Sequence, residues 1–192
     1  QLHANAHALA VLGNHEINLL RDDPKDGSGW YFDERVASDE PKYAPFARPG
    51  SAERAAIRAF LAPLPVALER ADLRIVHAAW QTAAVDAARQ LAPGSARSAY
   101  DRWEDEVREQ ARSSDIAVRM KKEHQRWPHS LEEGERRPPF LRAHGENELL
   151  KAMFNPLKVL TSGVERLGTK PFYAGGKWRF VEREAWWDSY AD

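Results

Sequence analysis

Short apolar runs alternate with longer amphipathic stretches along this 192-residue chain. An apolar run of four to eight residues between turn-forming residues is typical of a buried strand. Such runs predict strands over residues 9–12, 66–69, 73–77, 158–161 and 178–183. The second and third of these strands are separated by a tight turn, so they are expected to pair with each other.

Apolar residues recur at helical spacing between these runs. They predict helices over residues 16–21, 51–61, 82–91, 95–126 and 146–154, and the end of a helix over 1–8. The stretch 95–126 is highly charged, and we expect it to form one long helix or a broken one. Residues 22–50 and 128–139 are rich in proline, glycine and charge, which predicts loops, with one short helical turn near 33–36.

Strands that alternate with helices are the pattern of α/β proteins. We therefore predict an α/β sandwich that carries a helical insertion at about residues 83–150. The length of the chain is sufficient for one domain with a sizeable core.

The composition is that of a soluble globular protein, with 43% hydrophobic and 30% charged residues. The formal net charge of −1 gives no electrostatic basis for binding nucleic acid or a membrane surface. No apolar run is long enough to span a bilayer. The sequence has no cysteine, which excludes disulfides and thiolate metal sites and is typical of a reducing compartment. We therefore expect a cytoplasmic protein without nucleic-acid or membrane partners.

The strongest chemical signal is Gly13-Asn14-His15-Glu16, which follows the predicted strand 9–12. Glycine permits a tight turn there, so the Asn and His side chains can project beyond the sheet edge. An Asn side-chain oxygen is a neutral, hard ligand for a divalent metal ion. The neighbouring imidazole of His15 can protonate a leaving oxygen beside the metal. The alternative is that the Asn-His pair caps the following helix.

The second signal is His77, which ends the predicted strand 73–77 and is followed by the small residues Ala78 and Ala79. A His at a strand end with small neighbours offers a ring nitrogen at the sheet edge, with space beside it. We expect this His to meet the Asn-His motif at one edge of a sheet. The alternative is a His that packs in the core or forms a structural hydrogen bond.

Together the two motifs resemble the calcineurin-like metallophosphoesterase superfamily, in the form seen in phosphoprotein phosphatases and diadenosine tetraphosphate hydrolases. Residues 11–20 are similar to its Gly-Asn-His-Glu/Asp block. Residues 64–65 followed by 75–78 are similar to its later leucine-proline, strand, His-Gly/Ala block. The resemblance covers residues 1–82 well. It implies a metallophosphoesterase α/β/β/α sandwich, of which this chain is the central part.

The resemblance implies a centre of two divalent metal ions, Mn, Fe or Zn, in which Asn14 and His77 bind one ion. It also implies that His15 is the proton donor and that Glu16 orients an arginine from an earlier motif. A metal-bridging hydroxide would attack the phosphorus of a phosphate monoester or anhydride. The substrate would be a phosphorylated small molecule, a nucleotide or a phosphoprotein.

Three further motifs of the family do not occur in the sequence: Asp-x-His, Gly-Asp-x-x-Asp-Arg and a final Gly-His. Together with the abrupt ends of the chain, this predicts a truncated domain over residues 1–192 that is inactive alone and binds no metal tightly. The alternative is a degenerate phosphoesterase-like domain that binds a ligand without catalysis.

Lys177 and Arg179 alternate around Trp178 in the last predicted strand, so their side chains share one face. They are candidates for binding a phosphate group of the substrate. The alternative is a solvated strand face with Trp178 in the core. We expect the neighbouring pair Trp186 and Trp187 to serve in packing.

Overall fold

Helices and two β-hairpins alternate along residues 8–189, the part of the chain that the computed structural model describes. In chain order the elements are α1 (Asn14–Leu20), a 3₁₀ turn (Asp33–Arg35), α2 (Val36–Tyr43), α3 (Ser51–Leu61), β1 (Ala67–Arg70), β2 (Leu73–Val76), α4 (Thr82–Arg89), α5 (Ala96–Ser113), α6 (Asp115–Arg126), α7 (Arg142–Met153), α8 (Pro156–Ser162), β3 (Glu165–Ala174), β4 (Lys177–Arg183) and a second 3₁₀ turn (Trp186–Ser189). The helix predicted over residues 1–8 lies outside the described residues, apart from Ala8.

The strands form two small antiparallel sheets of two strands each within the described part of the chain. In the first, β1 pairs with β2 from Ala67 opposite Val76 to Arg70 opposite Leu73, which confirms the predicted hairpin. In the second, β3 pairs with β4 through an irregularity between Leu167 and Phe172. The chain is therefore a mixed α/β protein. The predicted sandwich stays a prediction, because neither sheet has more than two strands among residues 8–189.

Two strand predictions differ from the structure. Residues 9–12 belong to neither sheet, although the N–H of Leu12 donates to Pro65 O at 2.8 Å and its side chain is fully buried. The strand predicted over 158–161 is wrong, because these residues lie in helix α8. Four of the seven residues of α8 are buried, namely Leu157, Val159, Leu160 and Thr161, so the helix lacks a clear polar face and its apolar run resembles a strand.

The helix predictions agree better with the structure. The predicted stretch 95–126 is two helices, α5 and α6, which meet at Ser114. The predicted loop 22–50 contains more helix than expected, because α2 follows the 3₁₀ turn there. Asp39 of α2 is fully buried and accepts a hydrogen bond from the N–H of Gly29 at 2.8 Å, so a polar contact orders this apolar-poor segment. No helix within residues 8–189 has the length and apolar character needed to cross a membrane.

The largest apolar cluster joins α1, α4, α5 and α8. Leu12, Ile17, Leu157 and Leu160 are almost completely excluded from solvent within it. The N–H of Ala78 donates to Leu160 O at 3.0 Å, which fixes the segment after β2 to α8. The core therefore brings the start of α1, the end of β2 and α8 to one place.

A second packed region joins α7 to the hairpin of β3 and β4. A Cβ at Gly145 would lie 3.0 Å from side-chain atoms of both Leu167 and Phe180, so the helix approaches the hairpin as closely as a glycine allows. The carboxylate of Glu148 accepts a hydrogen bond from the N–H of Phe180 at 3.0 Å. These contacts fix the position of β4, and with it the residues that follow the strand.

Candidate active site

The turn before α1 is closed by Glu16. Its carboxylate accepts a hydrogen bond from the N–H of Gly13 at 3.0 Å, which satisfies a backbone donor just before the helix and places a negative charge at its positive end. The resemblance assigned Glu16 to orient an arginine. Among the described residues its carboxylate holds the Gly13 turn, and its role toward an arginine stays a prediction.

His77 lies directly against this turn. A Cβ at Gly13 would lie 2.7 Å from Nδ1 and 2.8 Å from Cε1 of the His77 ring, closer than real Cβ atoms approach other atoms. A residue with a side chain would therefore displace the ring or the turn. The structure brings together the two motifs that the sequence singled out, although they are far apart along the chain.

Asn14 and His77 line one cleft of about 440 Å³, which we call the His77 cleft. Its other walls are Ala78, residues 161–164 at the end of α8, and residues 183–187 after β4. The N–H of Glu184 donates to Val164 O at 2.9 Å and thereby fixes the last wall to the others. The cleft thus combines residues from α1, the segment after β2, the end of α8, and the end of β4 with the residues that follow it.

Two arginines hold α1 in this position. Arg58 donates to Leu19 O at 3.0 Å and to Leu20 O at 2.9 Å, carbonyls that have no partner within the helix because they lie at its end. Arg21 donates from Nε to Asp101 of α5 at 2.6 Å. The helix that begins with Asn14 is therefore fixed at its far end by charged groups from two other helices.

His15 does not line the His77 cleft. Its side chain is exposed on the first turn of α1, next to Asn14. The structure therefore brings Asn14 and His77 to the cleft and leaves His15 at its edge, on the surface.

Lys177 and Arg179 do not line the cleft either. At about 3.3 Å per residue along β4, the backbone positions of Lys177 and Arg179 lie about 20 Å and about 13 Å from that of the cleft residue Arg183. The Nε of Arg179 lies 3.2 Å from a carboxylate oxygen of Glu148. Trp178 is buried and its ring N–H donates to Glu133 O at 2.9 Å, in agreement with the structural alternative for this strand.

The sequence interpretation missed Arg183 at the other end of β4. It shares the strand face of Lys177 and Arg179, and its side chain lies in the cleft beside Gly163. Extending the alternation by four residues beyond Arg179 puts Arg183 on the same strand face, but it does not show that this end of the face lies at the cleft. Trp187, for which packing was expected, also lines the cleft and leaves 61% of its surface exposed.

The donors in the cleft fit only part of a metal site. An Asn oxygen and a neutral imidazole suit one divalent ion that has anionic ligands from elsewhere. Residues 8–189 contain no group of three or more His, Cys, Asp or Glu side chains placed to hold an ion. Asn14 and His77 can therefore contribute to a coordination shell, but the described residues do not complete one.

Comparison of the chain with protein-family models, with curated proteins and with solved structures gave no match in any of the three. The function must therefore be argued from the chemistry and geometry of the cleft.

Proposed function

We propose that this chain supplies part of the active site of a metal-dependent phosphoesterase that hydrolyses phosphate monoesters or anhydrides. The observation that carries the proposal is the contact between Gly13 and His77. It places an amide oxygen donor, Asn14, and an imidazole donor in one cleft that also contains the guanidinium of Arg183. A divalent ion held by these ligands and the guanidinium would both neutralise the charge of a phosphate substrate.

The proposed fold is a partial α/β/β/α sandwich in which β1 and β2 belong to one of the sheets. Leu73 and Ile75 of β2 share a face and are 47% and 41% exposed, so an apolar sheet face is present on which a further layer can pack. We place the proposed helical insertion at about residues 83–150, a stretch that contains α5 and α6 and most of α4 and α7.

The residues of the cleft have separate roles in this proposal. Asn14 and His77 bind one of two divalent ions, Mn, Fe or Zn. When bound, such ions neutralise phosphoryl oxygens and make water nucleophilic at neutral pH. His15 holds the proton for the leaving oxygen. Glu16 fixes the Gly13 turn through its hydrogen bond and thereby the direction in which Asn14 leaves the backbone.

A binding domain without catalysis is the second candidate. The observation that favours it is the small donor set, because two neutral ligands leave the charge of a hard cation uncompensated. Both candidates predict that the chain alone binds divalent ions weakly. They differ in whether Asn14 and His77 are the residues that bind.

A titration of the chain with Mn²⁺, followed by paramagnetic broadening of NMR signals, tests the proposal. We expect Gly13, Asn14 and His77 to broaden first, at millimolar Mn²⁺. The variants Asn14→Ala and His77→Ala should abolish this response, whereas His15→Gln should keep it.

His129 provides the internal control, because it lies in the loop after α6 and does not line the cleft. If the Mn²⁺ broadening stays the same in His77→Ala and in Asn14→Ala, the proposed site is refuted. Sub-micromolar Mn²⁺ affinity would contradict the count of donors.

A further inference from the structure

The wall of the His77 cleft formed by residues 183–187 carries a cation and an exposed aromatic ring. Arg183 is the last residue of β4 and pairs with Glu165 in the ladder of the hairpin. A Cβ built at Gly163 would lie 3.2 Å from Nη1 of Arg183. Gly163 also has a φ of +98°, which disfavours residues other than glycine. The end of α8 therefore leaves open the space that the guanidinium occupies.

Arg183 is exposed at the cleft, and its guanidinium makes no ion pair or side-chain hydrogen bond with any residue between 8 and 189. Its neighbours on the hairpin differ, because Arg166 pairs with Glu182 at 2.9 Å and Arg179 with Glu148 at 3.2 Å. Glu184 also lines the cleft, but its carboxylate forms no ion pair with Arg183. A guanidinium without a partner in a cleft favours an anionic ligand, because its planar donors match carboxylate and phosphate oxygens.

Trp187 lines the same cleft as this cation. Its ring meets that of Trp186 edge to face, with centroids 5.9 Å apart at 79°, and 61% of its surface is exposed. Exposing a large indole is unfavourable, since burying such a ring typically contributes a few kcal/mol. A planar ligand group that stacks on the indole would remove part of this exposed surface.

We infer that the His77 cleft recognises phosphate compounds that carry a planar aromatic group. Arg183 pairs with a phosphate oxygen and Trp187 stacks on the ring, while Asn14 and His77 face the phosphorus centre. The volume of about 440 Å³ lies in the range of small-molecule sites, so phosphate and ring fit together. The assignment of the phosphate end to Asn14 and His77 rests on the proposed function; the pairing with Arg183 and Trp187 does not.

Binding of three probes to the chain tests this inference: phenyl phosphate, butyl phosphate and inorganic phosphate. NMR signals of the indole N–H groups, assigned through Trp variants, give the dissociation constants. We expect phenyl phosphate to bind about tenfold more tightly than butyl phosphate, from stacking alone. Arg183→Gln should weaken all three probes by roughly tenfold, since it removes a charged hydrogen-bond donor.

Trp187→Ala should remove the preference for the phenyl group and leave inorganic phosphate unchanged, whereas Trp187→Phe should retain part of the preference. Lys177→Gln is the matched control, because it removes a cation from the same face of β4 outside the cleft. Thermal melting of each variant establishes that it is folded.

Equal affinity for phenyl and butyl phosphate, or unchanged binding in both Arg183→Gln and Trp187→Ala, would overturn the inference. The Mn²⁺ titration separates it from the proposed function. If Mn²⁺ does not broaden the His77 signals but the chain still prefers phenyl phosphate, the metal site is refuted and ligand recognition by Arg183 and Trp187 is supported. If Mn²⁺ broadens the His77 signals but the chain does not prefer phenyl phosphate, only the recognition of a planar ring by Trp187 is refuted.

Discussion

Replacing Gly13 with alanine should disturb the contact on which the candidate site depends. The backbone there has φ −99° and ψ −177°, which alanine adopts without strain, so the cost arises from contact alone. The new Cβ would lie 2.7 Å from both His77 Nδ1 and Glu16 Oε2. The carboxylate is the end of a flexible side chain, but the His77 ring must turn away or the segment after β2 must shift.

The expected cost follows from two opposing effects. Forcing atoms into an occupied space typically costs about 1–3 kcal/mol. A Gly→Ala change at a compatible conformation stabilises by about 0.4–1 kcal/mol, because the unfolded chain loses freedom. We therefore expect Gly13→Ala to lower the free energy of unfolding by about 1 kcal/mol, and by no more than about 2.5 kcal/mol.

Gly50 provides a matched control within the same chain. It precedes α3 as Gly13 precedes α1, with φ −70° and ψ 173°, and its N–H donates to Glu53 at 2.8 Å. A Cβ at Gly50 would meet Glu53 Oε2 at 3.8 Å, an ordinary contact. Gly50→Ala should therefore be neutral or stabilise the protein by up to about 1 kcal/mol, so Gly13→Ala should be the less stable of the two variants.

Urea denaturation of both variants measures the free energies, and unchanged slopes would show that the unfolded states remain comparable. NMR shifts of the His77 ring report its displacement, which should occur in Gly13→Ala and not in Gly50→Ala. If both variants were equally stable and the His77 signals stayed in place, the ring would not lie against Gly13 and the site would be wrong.

Three further predictions concern the support of the cleft, its chemistry and the titration of its surroundings. Asn155 is fully buried, caps α8 through Leu157 and donates to Tyr100 O and Glu104. Asn155→Ala should lower the free energy of unfolding by about 2–4 kcal/mol, as measured by urea denaturation. Asn155→Asp should lower it more at pH 8 than at pH 5, because the new carboxylate would face Glu104. An effect of Asn155→Asp that does not depend on pH would contradict this. In any active form of the protein, His15→Gln should lower kcat by roughly 10²–10⁴-fold with metal content unchanged, and less for a nitrophenyl ester, whose leaving oxygen needs no proton; metal loss would make His15 a ligand. Burial, with the nearby Glu104 carboxylate, raises the pKa of Tyr100 to about 12, so stability should fall as pH rises from 10 to 12. Tyr100→Phe should remove this fall in stability between pH 10 and 12. It should also remove one phenol that ionises at high pH from the ultraviolet titration, and an unchanged titration curve would refute the prediction.

The sequence predicted the elements whose apolar period or turn chemistry is local. The β1–β2 hairpin follows from two apolar runs around a tight turn, and α3 follows from helical spacing that begins at Ser51. Helix α8 resembles a strand in the sequence because it is buried on most sides, which removes the polar face that distinguishes a helix. Strand β3 was missed because Gly168 and Pro171 interrupt it, and its pairing with β4 is a contact between segments.

For the candidate site, the sequence predicted that the Asn14 and His77 motifs meet, because both follow apolar runs. Arg183 and Trp187 could not be placed this way, since their position depends on how α7 fixes the β3–β4 hairpin against α8. Lys177 and Arg179 show the same limit of pattern reasoning. Alternation establishes which strand face a residue shares, but only the packed structure establishes which end of that face lies at the cleft.

The two faces of β2 give a physical argument for the proposed sandwich. Val76 is partly buried against the main core, and Arg74 lies 5.1 Å over the ring of Trp80 while its side chain stays 57% exposed, so this face is partly covered within the described residues. Leu73 and Ile75 lie on the opposite face, where they are 47% and 41% exposed. Apolar residues on both faces are typical of a strand that lies between two layers. Covering such a face would contribute roughly 1.5–3 kcal/mol per fully buried side chain, and the same layer would cover the strand that delivers His77 to the cleft.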